Sequence, residues 1–188
     1  MIVCGTDFST TATAAATVAA RLALRSGSAM ELVCATGSRL TPSGEPDTAR
    51  GLTVATESQA RELDAEVKRL GALGVEVRGR LDPSVPDVAL VGSAARDDVQ
   101  LLVLGAIGHS MIERVLLGSV AERVAMESTK PVLVVRDEAP WRAWVADERP
   151  LRVLVAFDVG ASAAAALTWA SWLATLGNMQ LTVCWVVH

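Results

Sequence analysis

The sequence has little of what nucleic-acid-binding, metal-binding and disulfide-stabilised proteins usually need. Its net charge is −4 and it contains no cluster of Lys or Arg, so we do not expect nucleic acid as a partner. Its two histidines, His109 and His188, have no partner at ligand spacing, so we do not expect a metal site. The three cysteines, Cys4, Cys34 and Cys184, form no CxxC pair and lie in apolar, strand-like runs. They are expected to be buried free thiols in a reducing compartment.

Export and membrane signals are also missing. Met1 leads directly into IVCGTDFS without a basic segment, and Asp7 interrupts the apolar stretch, so no signal peptide is predicted. Residues 159–187 carry no charge and are numerous enough to span a bilayer. Gly177 and Asn178 interrupt this segment, however, and its pattern repeats that of the N-terminal region. We therefore expect a cytoplasmic protein without a membrane partner.

The composition and periodicity indicate a packed α/β protein. The chain has 188 residues, 51% of them hydrophobic and 20% charged, which is enough for one complete domain but hardly for two. Short apolar runs alternate with longer helical patterns, and Ser9 is a candidate N-cap. This alternation predicts a doubly wound parallel sheet covered by helices on both faces. The predicted strands are 2–6, 30–35, 75–80, 101–105 and 132–136, and the predicted helices are 10–26, 52–73, 85–95 and 119–127.

The C-terminal region repeats the N-terminal one. With a shift of 151 residues, Asp7 falls on Asp158 and Ala12 on Ala163, within the same order of strand, acid, helix and strand. Asp158 is expected to cap the end of its strand. The apolar surface of this partial copy is expected to pack on the first domain or on another chain. The predicted organisation is a complete domain at 1–136, a linker at 137–150 and a partial second copy (β-α-β) at 151–188.

Residues 105–119, GAIGHSMIERVLLGS, are the strongest candidate for a ligand site. Gly105 ends a predicted strand, Gly108 permits a turn, and Gly118 with Ser119 opens a helix whose free N–H groups favour an anion. Asp7, at the end of the first strand, would face Gly105 if the two strands are neighbours, and its carboxylate could accept hydrogen bonds from ribose hydroxyls. The glycine spacing alone leaves two interpretations open: a nucleotide site, or glycines that only end a strand and begin a helix. The pattern of glycines matches neither of the common phosphate-binding motifs, GxxxxGK[ST] and GxGxxG.

Residues 105–135 resemble the signature of the universal stress protein family, in which G-x2-G-x9-G-[S/T] precedes the last helix and strand. Gly105, Gly108, Gly118 and Ser119 match this spacing, and Asp7 matches the family's acid after the first strand. The runs SVAERV and KPVLVV are similar to the usual sequence of the family at these positions. The resemblance covers residues 1–136 as a whole domain and 151–188 as the start of a second.

The resemblance implies an adenine-nucleotide alpha-hydrolase-like fold with a five-stranded parallel sheet of order 3-2-1-4-5. It implies that ATP, ADP or AMP binds, with Mg²⁺ as a candidate companion. The adenine would lie near Val33 and Ala35, and the ribose near Asp7. It also implies homodimers, and tandem members pair two domains within one chain. The residues implied at the phosphates are Gly105, Gly108, His109, Gly118, Ser119 and Val120.

We therefore expect a nucleotide-binding stress-response regulator that acts through ligand-linked conformation or dimerisation. The alternative is a dimerising or partner-binding module without nucleotide, because the family contains non-binders and Ala106 and Ile107 stand where relatives often have polar or basic residues. No nucleophile–base pair stands out, so an enzyme is not expected, with slow ATP hydrolysis left open. CGTDFST differs from the Ser-Gly-Gly-type loop of adenylating enzymes. A phospho-accepting receiver domain is disfavoured because Lys130 precedes the fifth strand instead of following it.

Overall fold

The computed structural model describes residues 1–37, 49–106, 117–158 and 160–185, and the side chains of these residues except 49–55. The chain divides into a first unit, Met1–Asp137, and a second unit, Glu138–His188. The elements of the first unit are β1 (Ile2–Gly5), α1 (Thr10–Ser26), β2 (Met30–Ala35), α2 (Ala49–Gly71), β3 (Val77–Asp82), α3 (Pro86–Ala94), β4 (Leu101–Gly105), α4 (Ser119–Glu127) and β5 (Val132–Val135). Those of the second unit are α5 (Ala139–Val145), β6 (Leu151–Phe157), α6 (Ala161–Thr175) and β7 (Met179–Trp185).

The five strands described in the first unit form one parallel sheet of order β3-β2-β1-β4-β5, which confirms the predicted fold class. β1 is central, and its residues Ile2, Val3 and Cys4 are fully buried. The chain adds strands on one side of β1 and then crosses to add β4 and β5 on the other. The strand order therefore reverses between β1 and β4, which opens a crevice at their carboxyl ends.

The alanine-rich sequence of α1 explains how closely this helix packs on the sheet. Ala15, Ala16 and Ala19 are fully buried, because small side chains let the helix backbone approach the strands. The helix begins as predicted at Ser9, whose hydroxyl accepts a hydrogen bond from the Ala12 N–H at 3.3 Å. It ends at Gly27, which adopts the left-handed conformation (φ 63°) that glycine tolerates best.

Two of the predicted elements, β3 and α2, have boundaries displaced by two residues or more. β3 begins at Val77 and ends at Asp82, two residues later than expected, because its pairing with β2 runs as far as Ala35 opposite Asp82. α2 begins at Ala49, ahead of the apolar periodicity that marks its later turns. The later end of β3 places Asp82 at the carboxyl edge of the sheet.

The second unit contains a parallel pair of strands with the register of the first two strands of the chain. Leu151 lies opposite Met179, as Ile2 lies opposite Met30, and the partners are 28 residues apart in both pairs. The stretch expected to be a linker contains the short helix α5, in which Trp144 is buried.

The predicted burial of the cysteines holds for the first unit but not for the second. Cys4 and Cys34 are buried, but Cys184 is exposed, so its predicted burial is wrong. α5 and α6 pack mainly against β6, and most of the side chains of β7 are exposed. Within the described ranges, no helix combines the length and the apolar character needed to cross a bilayer.

Candidate functional site

A cavity of about 340 Å³ lies at the carboxyl ends of β1, β2 and β4, at the crevice where the strand order reverses. Its volume is within the range of small-molecule sites. Polar groups lie along one part of its wall and aliphatic side chains along the rest. The residues that line it are Gly5, Thr6, Asp7, Ser9, Ala12, Val33, Ala35, Pro86, Leu90, Leu104, Gly105, Ala106, Gly118, Ser119, Val120 and Ala121.

The turn between β1 and α1 places Asp7 at the mouth of the cavity. Phe8 adopts a left-handed conformation (φ 62°), which is uncommon for a residue with a side chain and turns the chain sharply after Asp7. The Ser9 N–H donates to Asp7 Oδ1 at 3.0 Å, and the Phe8 N–H donates to Thr6 Oγ1 at 3.0 Å. The bond from Ser9 restrains the Asp7 carboxylate, which is exposed, and the bond to Thr6 tightens the turn around it. A carboxylate held in this way can accept hydrogen bonds from the hydroxyls of a sugar.

The first glycine of the motif is required by packing inside the unit. A Cβ added to Gly105 would lie 2.9 Å from the carbonyl carbon of Thr11 and 3.0 Å from the nitrogen of Ala12. These are backbone atoms in the first turn of α1, which cannot rotate away. The end of β4 therefore approaches α1 more closely than any residue with a side chain would allow.

The last glycine caps the helix that borders the cavity. Gly118 is the N-cap of α4, with φ −62° and ψ 146°, a conformation open to any residue. Its N–H donates to the Ala106 carbonyl at 2.8 Å, which brings together the two chain segments that flank residues 107–116. The next amides, at Ser119, Val120 and Ala121, lie in the first turn of α4 and have no acceptor within the helix. They border the cavity at the positive end of the helix dipole, which favours a phosphate or another anion.

The remaining wall is apolar. Val33 and Ala35 come from the end of β2, Leu90 and Pro86 from α3, and Leu104 from β4. Such a surface suits a flat aromatic group, because a base loses water on burial without leaving an unpaired polar side chain beneath it.

Of the nine predicted site residues, seven line this one cavity: Asp7, Val33, Ala35, Gly105, Gly118, Ser119 and Val120. Gly108 and His109 lie outside the described residues. Sequence reasoning missed Pro86 and Leu90 in α3. The rule that ligands bind beyond the carboxyl ends of parallel strands could have pointed to them, since Pro86 closely follows the third strand.

The charge at the cavity is low. Asp7 is the only ionisable side chain among the lining residues that the structure describes. In the same described ranges, no group of three or more His, Cys, Asp or Glu side chains is placed to hold a metal ion. A phosphate at this site would therefore be held largely by backbone N–H groups, and Mg²⁺ would need the phosphates themselves as ligands.

Comparison with known proteins identifies the family. The family model described as the universal stress protein family matches residues 1–136. The chain belongs to the universal stress protein family. Two curated universal stress proteins of Methanocaldococcus jannaschii match over 81 residues, which is 43% of this chain: MJ0577 at 32% identity and MJ0531 at 36%. These matches cover 50% and 48% of the two relatives, so the chain matches about half the length of each.

Solved universal stress proteins share the fold. UspA from Lactobacillus plantarum aligns with a TM-score of 0.64 at 22% identity, covering 72% of this chain and 96% of its own. A universal stress protein solved in complex with cAMP aligns with a TM-score of 0.54 at 29% identity, covering 72% of this chain and 95% of its own. One from Archaeoglobus fulgidus aligns over 100% of this chain and 67% of its own, with a TM-score of 0.74 at 18% identity.

Proposed function

We propose that the first unit binds an adenine nucleotide, such as ATP, ADP or AMP, and that the protein is a cytoplasmic stress-response regulator whose conformation or dimerisation follows the ligand. The observation that carries the proposal is the meeting of Asp7 and the N-terminus of α4 at one cavity, on the site where doubly wound sheets bind ligands. The complex of a related universal stress protein with cAMP supports an adenine ligand.

The chemistry of the cavity suggests an orientation for the ligand. The adenine would pack against Val33 and Ala35, where the wall is apolar. The ribose hydroxyls would donate to Asp7, and the phosphates would accept from the amides at residues 119–121. Mg²⁺ would bind through the phosphates, because the described residues supply no set of metal ligands.

Calorimetric titration with ATP, ADP, AMP and cAMP, with and without Mg²⁺, tests the proposal. Gly118→Val is the informative variant, because it adds a side chain to the cavity wall at a backbone conformation that valine can adopt. Gly92→Val is the matched control: Gly92 lies outside the cavity, and a Cβ there meets nothing within 4 Å. We expect Gly118→Val to weaken binding at least tenfold and Gly92→Val to leave it unchanged. Equal binding by Gly118→Val and wild type would refute the site.

The alternative is a module that pairs with a copy of itself or with another protein without nucleotide. The low charge of the cavity favours it, since no basic side chain lines the described wall. Absence of binding by the wild-type protein to every nucleotide in the titration would refute the first proposal and favour this alternative.

We also propose that 151–188 is the start of a second domain of the same kind and contributes to homodimer formation. The equal register of the two strand pairs supports this, and so does the turn after β6: the Gly160 N–H donates to Asp158 Oδ1 at 2.9 Å, as Ser9 donates to Asp7. Light scattering on the protein with and without residues 151–188 measures the contribution. An unchanged mass per particle, apart from the deleted residues, would refute it.

A further inference from the structure

Asp82 lies outside the cavity wall but joins the two chain segments that form its β2 side. The first segment, residues 35–37, begins with the last residue of β2, and the second, residues 82–86, leads from the end of β3 into α3. The Thr36 N–H donates to the Asp82 carbonyl at 2.7 Å, and the Gly37 N–H donates to the Ser84 carbonyl at 3.1 Å. The two segments therefore run side by side, and Ala35 and Pro86 at their ends line the cavity.

The two segments are also in close backbone contact. A Cβ added to Gly37 would lie 2.6 Å from the carbonyl oxygen of Pro83 and 2.6 Å from the carbonyl carbon of Ser84. This spacing leaves no room for a side chain between them, so a small shift of the 83–85 turn would change the position of residue 37 as well.

The Asp82 side chain holds that turn in place. Its Oδ1 accepts from the Ser84 N–H at 2.9 Å, and its Oδ2 accepts from the Arg80 guanidinium. Arg80 in turn donates to Ser93 Oγ in α3 at 2.6 Å and to the buried carboxylate of Glu31 in β2 at 3.4 Å. Burial alone would raise the pKa of Asp82, but the hydrogen bonds from Ser84 and Arg80 outweigh it and keep the pKa below its ordinary value. The group is therefore a charged anchor at neutral pH.

We propose that Asp82 is a positioning residue for the bound base: it holds the 83–85 turn against residues 36 and 37 and thereby sets the gap between Ala35 and Pro86. This inference rests on the proposed nucleotide function. It assigns a role in ligand binding to a residue that does not touch the ligand. The effect is confined to the base side of the cavity, since the phosphate side is formed by α4.

The test compares Asp82→Ala, Asp82→Asn and Asp98→Ala by calorimetric titration with adenosine and with ATP. Asp82→Ala removes both side-chain bonds, whereas Asp82→Asn keeps an oxygen that can accept from Ser84 but loses the charge opposite Arg80. Asp98→Ala is the matched control. Asp98 is paired with Arg96, which also binds Glu31, but Asp98 itself makes no bond to the 83–85 turn. We expect Asp82→Ala to weaken adenosine and ATP by the same factor, about tenfold, Asp82→Asn to weaken both by less, and Asp98→Ala to change neither by more than twofold.

Hydrogen exchange of the ligand-free protein, followed by NMR, supplies a readout that a general loss of stability would not produce. Asp82→Ala should accelerate exchange at the Ser84 and Gly37 amides more than at Thr36, whose bond to the Asp82 carbonyl does not involve the side chain. Wild-type affinities in Asp82→Ala, or a loss for ATP without a loss for adenosine, would overturn the positioning role while leaving the proposed function intact. If the wild-type protein binds neither ligand, the proposed function fails, and this inference fails with it.

Discussion

Gly105→Ala should destabilise the first unit, although glycine-to-alanine substitutions often stabilise proteins. The added Cβ would lie 2.9–3.0 Å from backbone atoms of Thr11 and Ala12, closer than carbon atoms pack in proteins. A shift of α1 away from β4 would be costly, because it would separate Ala15, Ala16 and Ala19, which are fully buried, from the atoms they pack against. Overpacking of this kind costs about 1–3 kcal/mol. For a unit of this size, a loss of 2 kcal/mol corresponds to roughly 5–10 °C in the melting temperature.

Gly92→Ala is the matched control, with the opposite sign expected. Gly92 lies within α3, and a Cβ there meets nothing within 4 Å. The substitution removes backbone freedom from the unfolded chain and should stabilise the unit by about 0.5–1 kcal/mol. The two variants make the same chemical change, so the difference between them isolates the close approach of β4 to α1.

Urea and thermal unfolding followed by far-UV circular dichroism measure both variants, and tryptophan fluorescence separates the two units. All five tryptophans of the sequence lie in the second unit, so their emission follows the unfolding of that unit. A melting temperature for Gly105→Ala equal to or above that of wild type would refute the packing argument. If the variant kept its stability but bound nucleotide more weakly, Gly105 would instead be a contact for the phosphates.

Three further outcomes follow from the ionisable groups of the first unit and the exposed edge of the second. Glu31→Gln should lower the unfolding free energy by about 1–3 kcal/mol in urea titration, because the buried carboxylate accepts hydrogen bonds from three guanidinium groups. The partial exposure of these groups keeps the loss below that of a fully buried pair. An unchanged urea midpoint would contradict this expectation. The pKa of Asp82 in the folded protein lies below its ordinary value of 3.8, so the stabilisation from its charge is present above pH 3.8 and is lost as the pH falls through the folded pKa. The difference in unfolding free energy between wild type and Asp82→Asn should therefore shrink below pH 3.8. A difference that stays constant with pH would contradict this expectation. Thiol labelling of the native protein should modify the exposed Cys184 but spare Cys4 and Cys34, which are buried. Burial raises the pKa of both thiols, that of Cys34 to about 11, and so keeps them protonated. Labelling of all three cysteines without denaturant would contradict the structure.

The fold could be predicted because each strand of the first unit carries its own local signal. Runs such as LLVL and VLVV are apolar throughout, as buried parallel strands are, and helical patterns separate them. The reversal of strand order between β1 and β4 has no such local signal, and the family resemblance supplied it. Once that order is known, the meeting of Asp7 with the glycine motif follows from topology alone.

The interactions around Glu31 were not predicted, although the sequence contains a signal for them. Glu31 is 3% exposed and interrupts the apolar run of β2, where an unpaired carboxylate would be costly. Arg78 and Arg80 in the neighbouring strand supply two of its partners. The acid in a buried strand could have predicted basic residues at paired positions, but Arg96 reaches it from beyond α3, and no sequence pattern indicates a contact at that distance along the chain.

The phosphate side of the site is built mostly from main-chain groups, and this explains both the strength and the limit of its sequence signal. Glycines and small residues mark places where the backbone must pass close to another group, so their spacing is visible in the sequence. The reason for each close approach is not visible: Gly105 accommodates α1, whereas Gly118 begins α4 at the cavity. The dimensions of the base side also depend on ion-paired residues behind the wall, and Asp82→Ala should therefore alter ligand affinity although Asp82 does not line the cavity.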